Sequence, residues 1–331
     1  MNKPELKMTQ NQADRSVRII NQLHVNRERE RGLLITGLLA TSAHIEPKYF
    51  YDELGCTLYA AICQLEEYYP TRTERAIFQQ YRKDISAKIA GHGRCGTFVD
   101  LGAGDCTKAM SWIPFIQPQR YLAVDIAGPS METALANMAT EFPETEMVGL
   151  VTDFSHELVI PADLLVERTT LFYPGSSIGN FTPANAIQFL VQMRRHTEGG
   201  GLLIGVDAKK DKRRLDAAYA DALGVTAAFN LNALRHINRV IGADFDEAQW
   251  RHVGAYNEQF GRVEMHLESV IDQNVMIDGH ARGFAKGERI HSENSYKYTQ
   301  TEFDSMLREA GFSDISVWTD SAKTFWVFYA R

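Results

Sequence analysis

Thr97-Phe-Val-Asp-Leu-Gly-Ala-Gly-Asp-Cys-Thr-Lys108 is the stretch on which the reading of the fold turns. Phe98 and Val99 are the apolar run of a parallel-sheet strand, which Asp100 closes. Gly102 and Gly104 then permit a sharp turn and a close approach of backbone to ligand, and a helix follows. In doubly wound α/β folds ligands sit at the carboxyl ends of the strands, so this turn is expected to line a pocket. The turn alone does not choose the ligand. Where a dinucleotide fingerprint carries its third glycine, this chain has Thr107.

Further along, Arg120-Tyr-Leu-Ala-Val-Asp125 reads as a second strand. Its closing acid lies about twenty residues after the glycines, where an acid meets a pair of ribose hydroxyls. Leu150-Val-Thr-Asp153-Phe154 puts an acid and an aromatic at the end of the next strand-like run. Thr170-Leu-Phe-Tyr-Pro-Gly-Ser-Ser-Ile-Gly-Asn180 reads as a fourth strand and a loop of turn residues, hydroxyls and one amide. Thr182 and Pro183 open a helix as cap and first residue, and Gly201-Leu-Leu-Ile-Gly-Val-Asp207 is a fifth strand. Glycine turn, ribose acid and acid–aromatic pair form the arrangement of a Rossmann-like methyltransferase using S-adenosylmethionine. On these residues alone a nicotinamide enzyme or an ordinary α/β turn stays open.

A chain of 331 residues is long for one core and points to two domains. The formal charge of −7 argues against a nucleic-acid partner. The basic run Lys209-Lys-Asp-Lys-Arg-Arg214 is read as a solvated helix start. Four cysteines without a CxxC pair, and without histidine at zinc spacing, read as reduced thiols in a cytoplasmic protein with no metal site. No apolar run reaches membrane-spanning length, and the apolar run at 33–40 lies too deep behind charged residues for a signal peptide. No membrane partner is expected. Residues 1–30 are polar, with a disordered start expected.

Residues 27–82 read as helices and loops. Pro70 is expected to end one helix, and Thr71 or Thr73 to cap the next. The adjacent Tyr68 and Tyr69 are either packing aromatics or a pocket wall. The closing elements of a Rossmann-type core, a capped helix from Thr299 and paired strands at 315–318 and 325–329, come only after residues 209–298 have interrupted it. The fold class expected is therefore α/β: a Rossmann-like class I methyltransferase core, 74–208 plus 299–331, with a second, discontinuous α+β substrate domain, 1–73 plus 209–298. Within the insertion, Glu293 and Ser295 are two apart on an alternating stretch and share a face. Taken alone, that face reads most simply as a solvated one.

Four segments carry a more specific signal: Glu67-Tyr-Tyr-Pro-Thr-Arg72, Pro174-Gly-Ser-Ser-Ile-Gly-Asn180, Gly224-Val-Thr-Ala-Ala-Phe-Asn230 and Ser292-Glu-Asn-Ser295. In that order they resemble the S-adenosylmethionine-dependent histidine-specific Nα-methyltransferases of ergothioneine biosynthesis, from about Tyr51 to the C-terminus. The resemblance implies S-adenosylmethionine as cofactor, S-adenosylhomocysteine as its product, and L-histidine as the small-molecule substrate, trimethylated to its betaine. It implies that Asn180 and Tyr219 hold the substrate α-carboxylate and α-amino group, and that Glu293 and Ser295 grip the imidazole. Tyr51 and Tyr68 stand near the amino group and the side-chain pocket, and Met265 lines that pocket. Asn180 and Tyr51 are the candidate catalytic positions, with Tyr51 orienting the amine or its water. Gly102, Lys108, Asp125, Asp153, Phe154 and Ser177 fall on the cofactor side. Ser177 stands where some relatives have threonine, and Asn294 sits between the two imidazole contacts; neither removes a needed group. A monomer is expected, because a second domain already covers the pocket.

Three other functions compete. One is a methyltransferase of the same architecture acting on another small amine or amino acid, which the Glu293/Ser295 pair disfavours for a purely apolar side chain. Another is a cofactor-binding scaffold without catalysis, for which keeping Asn180, Tyr219 and Glu293 together has no purpose. A nucleic-acid methyltransferase lacks both a basic stripe and an Asn-Pro-Pro-Tyr-type loop here.

Overall fold

The computed structural model describes residues 17–22, 27–91, 93–126, 128–155, 157–197 and 199–331. The disorder expected at the start of the chain falls on residues 1–16, outside those described. In chain order come β1 (Arg18–Asn21), α1 (Arg27–Leu39), α2 (Glu53–Ile62), α3 (Tyr69–Ala90), β2 (Thr97–Leu101), α4 (Thr107–Met110) and α5 (Ile113–Ile116). β3 (Arg120–Asp125), α6 (Gly128–Glu141), β4 (Glu146–Val151), β5 (Thr170–Tyr173), α7 (Pro183–Arg195) and β6 (Gly201–Asp207) complete the first stretch of the core. Then follow α8 (Lys212–Tyr219), α9 (Val225–Ile241), β7 (Trp250–Asn257), β8 (Arg262–Ser269), β9 (Gln273–Ile277), β10 (His280–Phe284) and β11 (Arg289–Tyr296). The chain closes with α10 (Gln300–Glu309), β12 (Ile315–Thr319) and β13 (Phe325–Ala330).

β2 is buried at all five positions because helices cover both faces of its sheet. Its side chains alternate between two cores. Val99 and Leu101 point to the α7 and α10 side, with Phe189, Leu190, Phe303 and Leu307. Phe98 points to the α3–α6 side, with Ile77, Phe78, Trp112 and Leu135. The sheet has eight strands in the order β1-β4-β3-β2-β5-β6-β13-β12, parallel from β1 to β6 and reversed at β13. This is the Rossmann-like α/β fold. From β2 the chain steps outward to β3 and β4 on one side and to β5 and β6 on the other. The carboxyl ends of β2 and β5 therefore flank the topological switch point, where a ligand crevice opens.

A third core gathers α1, α2, α8 and α9 with β7–β11. It includes Phe50, Tyr69, Phe229, Leu234, Trp250, Leu267 and Phe284. β11, β8 and β7 form an antiparallel sheet, while β9 and β10 form a hairpin. β1 departs from the division expected from sequence. Arg18–Asn21 pair with Val148–Val151 of β4 and so extend the large sheet, where Ile19 and Ile20 have apolar neighbours. Pro70 departs too. α2 has already ended at Ile62, and Pro70 sits in the first turn of α3 behind Tyr68 as cap. There its missing N–H costs nothing, so it opens a helix and Thr71 and Thr73 lie inside it. Thr182 and Thr299 cap α7 and α10 as their sequences predict, the latter in a full capping box with Glu302. No helix of the described residues is long and apolar enough to cross a membrane.

Candidate active site

A cleft lies at the switch point, between the large sheet and the third core. One wall is the loop after β5. Gly179 packs so closely on β11 that a Cβ there would stand 2.7 Å from the carbonyl of Tyr296, so only glycine allows the approach. That contact sets the half-buried Asn180, at the end of a 3-10 turn (Ser177–Asn180), against the strand carrying Glu293 and Ser295. The opposite walls are Tyr51, Tyr68 and Phe229, with the buried Met265 and Tyr219 deeper in.

All seven residues expected on the substrate side line this one cleft: Tyr51, Tyr68, Asn180, Tyr219, Met265, Glu293 and Ser295. In β11 Glu293 is opposite Met265, and a bulge at Ser292 precedes it. The pleat then turns Glu293 and Ser295 into the cleft, so the solvated face that the alternation alone suggests is a pocket wall. Burial pushes the Glu293 carboxyl up to about 7, against the pull of the nearby Lys297 ammonium.

Of the residues expected on the cofactor side, Ser177 lines the cleft, Lys108 lies in α4, and Gly102, Asp125, Asp153 and Phe154 lie at or just past the adjoining strand ends. Gly102 and Gly104 turn with φ of +74° and +54°. A Cβ on Gly102 would meet only the Phe154 ring edge, at 4.0 Å, and one on Gly104 nothing within 4 Å, so open space stands over the turn. Asp125 accepts the Gly104 N–H at 2.8 Å and fixes the turn to the end of β3. Asp153 accepts the Ser155 N–H at 2.9 Å and pairs with Lys48 at 3.5 Å. Burial opposes its charge, but the Ser155 and Lys48 contacts outweigh that and hold its carboxyl below the usual range. Phe154 stacks on Phe189, ring centroids 6.1 Å apart. Lys108 pairs with the buried Glu74 at 2.9 Å, and the other oxygen of Glu74 takes the Gly175 N–H at 2.6 Å. One carboxylate of α3 thus joins the helix after the glycine turn to the loop after β5.

Sequence reasoning missed the ionic group under the cleft. Asp207, fully buried at the end of β6, accepts from Tyr69 at 2.7 Å and from Lys297 at 3.0 Å, and also pairs with Lys210. Burial works against its charge, but Lys297 and Lys210 prevail and keep it below the ordinary aspartate range. Lys297 is 2% exposed and reaches Tyr219 Oη at 3.0 Å and Ser295 Oγ at 2.8 Å. Lys210 belongs to the basic run read as solvated. Asp211 does cap α8 there, but the Lys210 side chain turns inward, and burial lowers its ammonium to about 8 despite Asp207. Two signals could have found the group: Asp207 ends a strand as Asp125 does, and Lys297 continues the 293–295 face by one more period. The Gly224–Asn230 motif has a framework part as well. Asn230 receives the Ser292 hydroxyl at 2.8 Å and donates to the His266 carbonyl, tying α9 to two strands of the small sheet. Arg72 donates to the Leu65 and Glu66 carbonyls and braces the turn before α3.

The cradle over Gly102–Gly104, the strand-end acid Asp125 and the acid–aromatic pair Asp153–Phe154 fit an adenosyl group. The adjoining cleft presents an amide, hydroxyls and a carboxyl among aromatic walls. That is a donor set for a small polar molecule with two charged ends.

Comparison with known proteins agrees in extent. The family described as histidine-specific methyltransferase, SAM-dependent, matches residues 29–331. The histidine N-alpha-methyltransferase of Mycolicibacterium smegmatis is 36% identical over 297 residues, 87% of this chain and 90% of the relative. That of Mycobacterium tuberculosis is 34% identical over 88% of this chain and 91% of its own length. Ergothioneine biosynthesis protein 1 of Neurospora crassa is 30% identical over 81% of this chain, which spans 31% of that longer protein. With the Rossmann-like sheet, the cleft at its switch point and a match over nearly its whole length, the chain belongs to the SAM-dependent, histidine-specific methyltransferase family.

Proposed function

We propose that the chain methylates the α-amino group of L-histidine with S-adenosylmethionine, three times in succession, to give the betaine hercynine at the start of ergothioneine biosynthesis. The observation that carries this reading is the cleft itself. It joins Glu293 and Ser295 on one strand face to Asn180 on the loop after β5, beside the glycine turn. Family membership and the names of the two mycobacterial relatives support it.

In this reading Gly102, Asp125, Asp153, Phe154, Lys108 and Ser177 hold S-adenosylmethionine, and the discontinuous part built around the third core, residues 1–73 plus 209–298 apart from β1, is the substrate domain. When bound, that molecule supplies an electrophilic methyl on sulfur, and the protein supplies binding and orientation. Asn180 holds the amino-acid end so that nitrogen and methyl meet in line, which alone contributes several kcal/mol to rate. The amine reacts in its neutral form, and its proton leaves to water, so no strong base is required. Tyr51 orients the amine or that water. As methyl groups accumulate the head group becomes a fixed cation, for which the Tyr68 ring is a suitable wall. Glu293 accepts from one ring N–H and Ser295 meets the other nitrogen. An analogue without those nitrogens leaves a half-buried carboxylate unpaired.

The test is mass spectrometry of products after incubation with S-adenosylmethionine and an equimolar mixture of the twenty amino acids. Histidine alone should gain up to three methyl groups. Methylation of a different amino acid keeps the reaction and removes the imidazole assignment.

A further inference from the structure

Lys297 has three N–H donors, and each has a partner: Asp207 Oδ2 at 3.0 Å, Tyr219 Oη at 3.0 Å and Ser295 Oγ at 2.8 Å. Tyr219 Oη in turn donates to Ser295 Oγ at 2.8 Å. The phenol is the stronger donor and weaker acceptor of the two hydroxyls, because its lone pairs are shared with the ring. Counting then settles the outcome. Ser295 Oγ has two lone pairs, one filled by Lys297 and one by Tyr219, so the hydrogen of Ser295 is what remains for a ligand. Two residues earlier on the same strand face, Glu293 offers a carboxyl; burial pushes it up to about 7, so near pH 6 it carries its proton and accepts an N–H through its carbonyl oxygen. The other titratable groups lining the cleft do not alter this polarity. Burial pushes the Tyr51, Tyr59, Tyr68 and Tyr219 phenols up, so they keep their protons at neutral pH, while the charge of Asp207 is balanced by Lys297 and Lys210.

Resting on the histidine reading above, we propose that Lys297 is a positioning residue that makes Ser295 a hydrogen-bond donor, so that the strand reads a neutral imidazole in a single tautomer: acceptor nitrogen at Ser295, N–H at Glu293. An imidazolium carries N–H on both nitrogens and would set one of them against the Ser295 hydrogen. Substrate choice then lies in the protonation state of the ring as well as in its shape. Lys297 imposes this without touching the ligand.

The experiment is nitrogen NMR of ring-¹⁵N-labelled L-histidine bound to the full chain in the presence of S-adenosylhomocysteine. It is done at about pH 6, just below the ordinary histidine pKa of ~6.5, where the free ring is mostly cationic. The expected bound spectrum has one protonated and one unprotonated nitrogen at separate, unaveraged shifts. Two protonated nitrogens in the bound ring would overturn the proposal and leave the histidine reading standing; no bound signal at all would overturn both. In Lys297→Met, Asp207 keeps Lys210 and Tyr69, whereas Ser295 regains a lone pair. The bound ring should then move to the imidazolium pattern. A neutral single tautomer retained in that variant would remove Lys297 from the role. If Lys297→Met does not fold, the wild-type spectrum still decides the polarity, and Ser295→Ala, expected to release the ring to the cationic form, replaces it.

Discussion

The two halves of the cleft are built from very different spans of chain. Gly102, Asp125, Asp153 and Ser177 follow four successive parallel strands of one sheet, each at or just past a strand's carboxyl end. Tyr51 and Tyr68 come from the stretch between β1 and β2, Tyr219 from the end of α8, Met265 from β8, and Glu293 and Ser295 from β11. The first half is shaped by backbone turns and strand ends. The second is held by side chains meeting over long sequence separations, with a buried ionic group beneath. The contrast implies that the halves bind separately: changes in one should spare the ligand of the other.

The largest effect is expected where they meet. Asn180→Ala should lower kcat/KM on the order of 10²-fold, since it loosens the reacting end. Steady-state product formation measures this, and near-normal turnover would take Asn180 out of the positioning role. Next, Glu293→Ala should weaken histidine roughly ten- to hundredfold, the range for losing a hydrogen bond to a charged group, while S-adenosylmethionine affinity holds. Calorimetry with each ligand in turn reads the split, and equal losses for both would break the comparison. Asp125→Ala is the mirror experiment. It should cost about tenfold in S-adenosylmethionine affinity, loosen the turn at Gly104, and leave histidine binding within about twofold.

Smaller effects sharpen the same contrast through stability. The Glu293 carboxyl, at about 7, binds its proton more tightly folded than unfolded. Its contribution to ligand-free stability should therefore be fully present below the ordinary value of 4.5, fall as pH rises to about 7, and then level. Because the side chain is only partly buried, the fall should be about 2 kcal/mol, read as wild type minus Glu293→Gln in urea titrations. A flat difference from pH 4 to 8 would mean that the carboxyl is solvated. Thr299→Ala, far from both ligands in role, should cost about 1 kcal/mol through its capping box and change neither affinity.

Legibility followed the same division. The strands around Phe98, Leu122 and Leu171 are apolar runs closed by acids or turn residues, and the caps at Thr182 and Thr299 are local chemistry, so each could be read in a short window. Where reading failed, a partner far along the chain decided. Lys210 looked like one charge in a basic run until Asp207 and Tyr69 drew it inside. Pro70 looked like a stop because nothing nearby shows that α2 has already ended. β1 is too short to declare itself, and its pairing with β4 spans about 130 residues. Glu293 and Ser295 showed their shared face through the period of a strand, and their likeness to the family's motif suggested a use. Neither says which side of that face is closed.

By itself, then, the sequence determined the parallel sheet, the glycine turn with its strand-end acids, and the interruption of the core, because each depends on residues within a few turns or one strand of one another. Only the tertiary structure decided that β11 faces the loop after β5 and that Lys297 stands buried between Asp207, Tyr219 and Ser295. A buried ammonium is stable only where acceptors from several segments converge on it, and that convergence is a property of packing, which no local pattern of residues records.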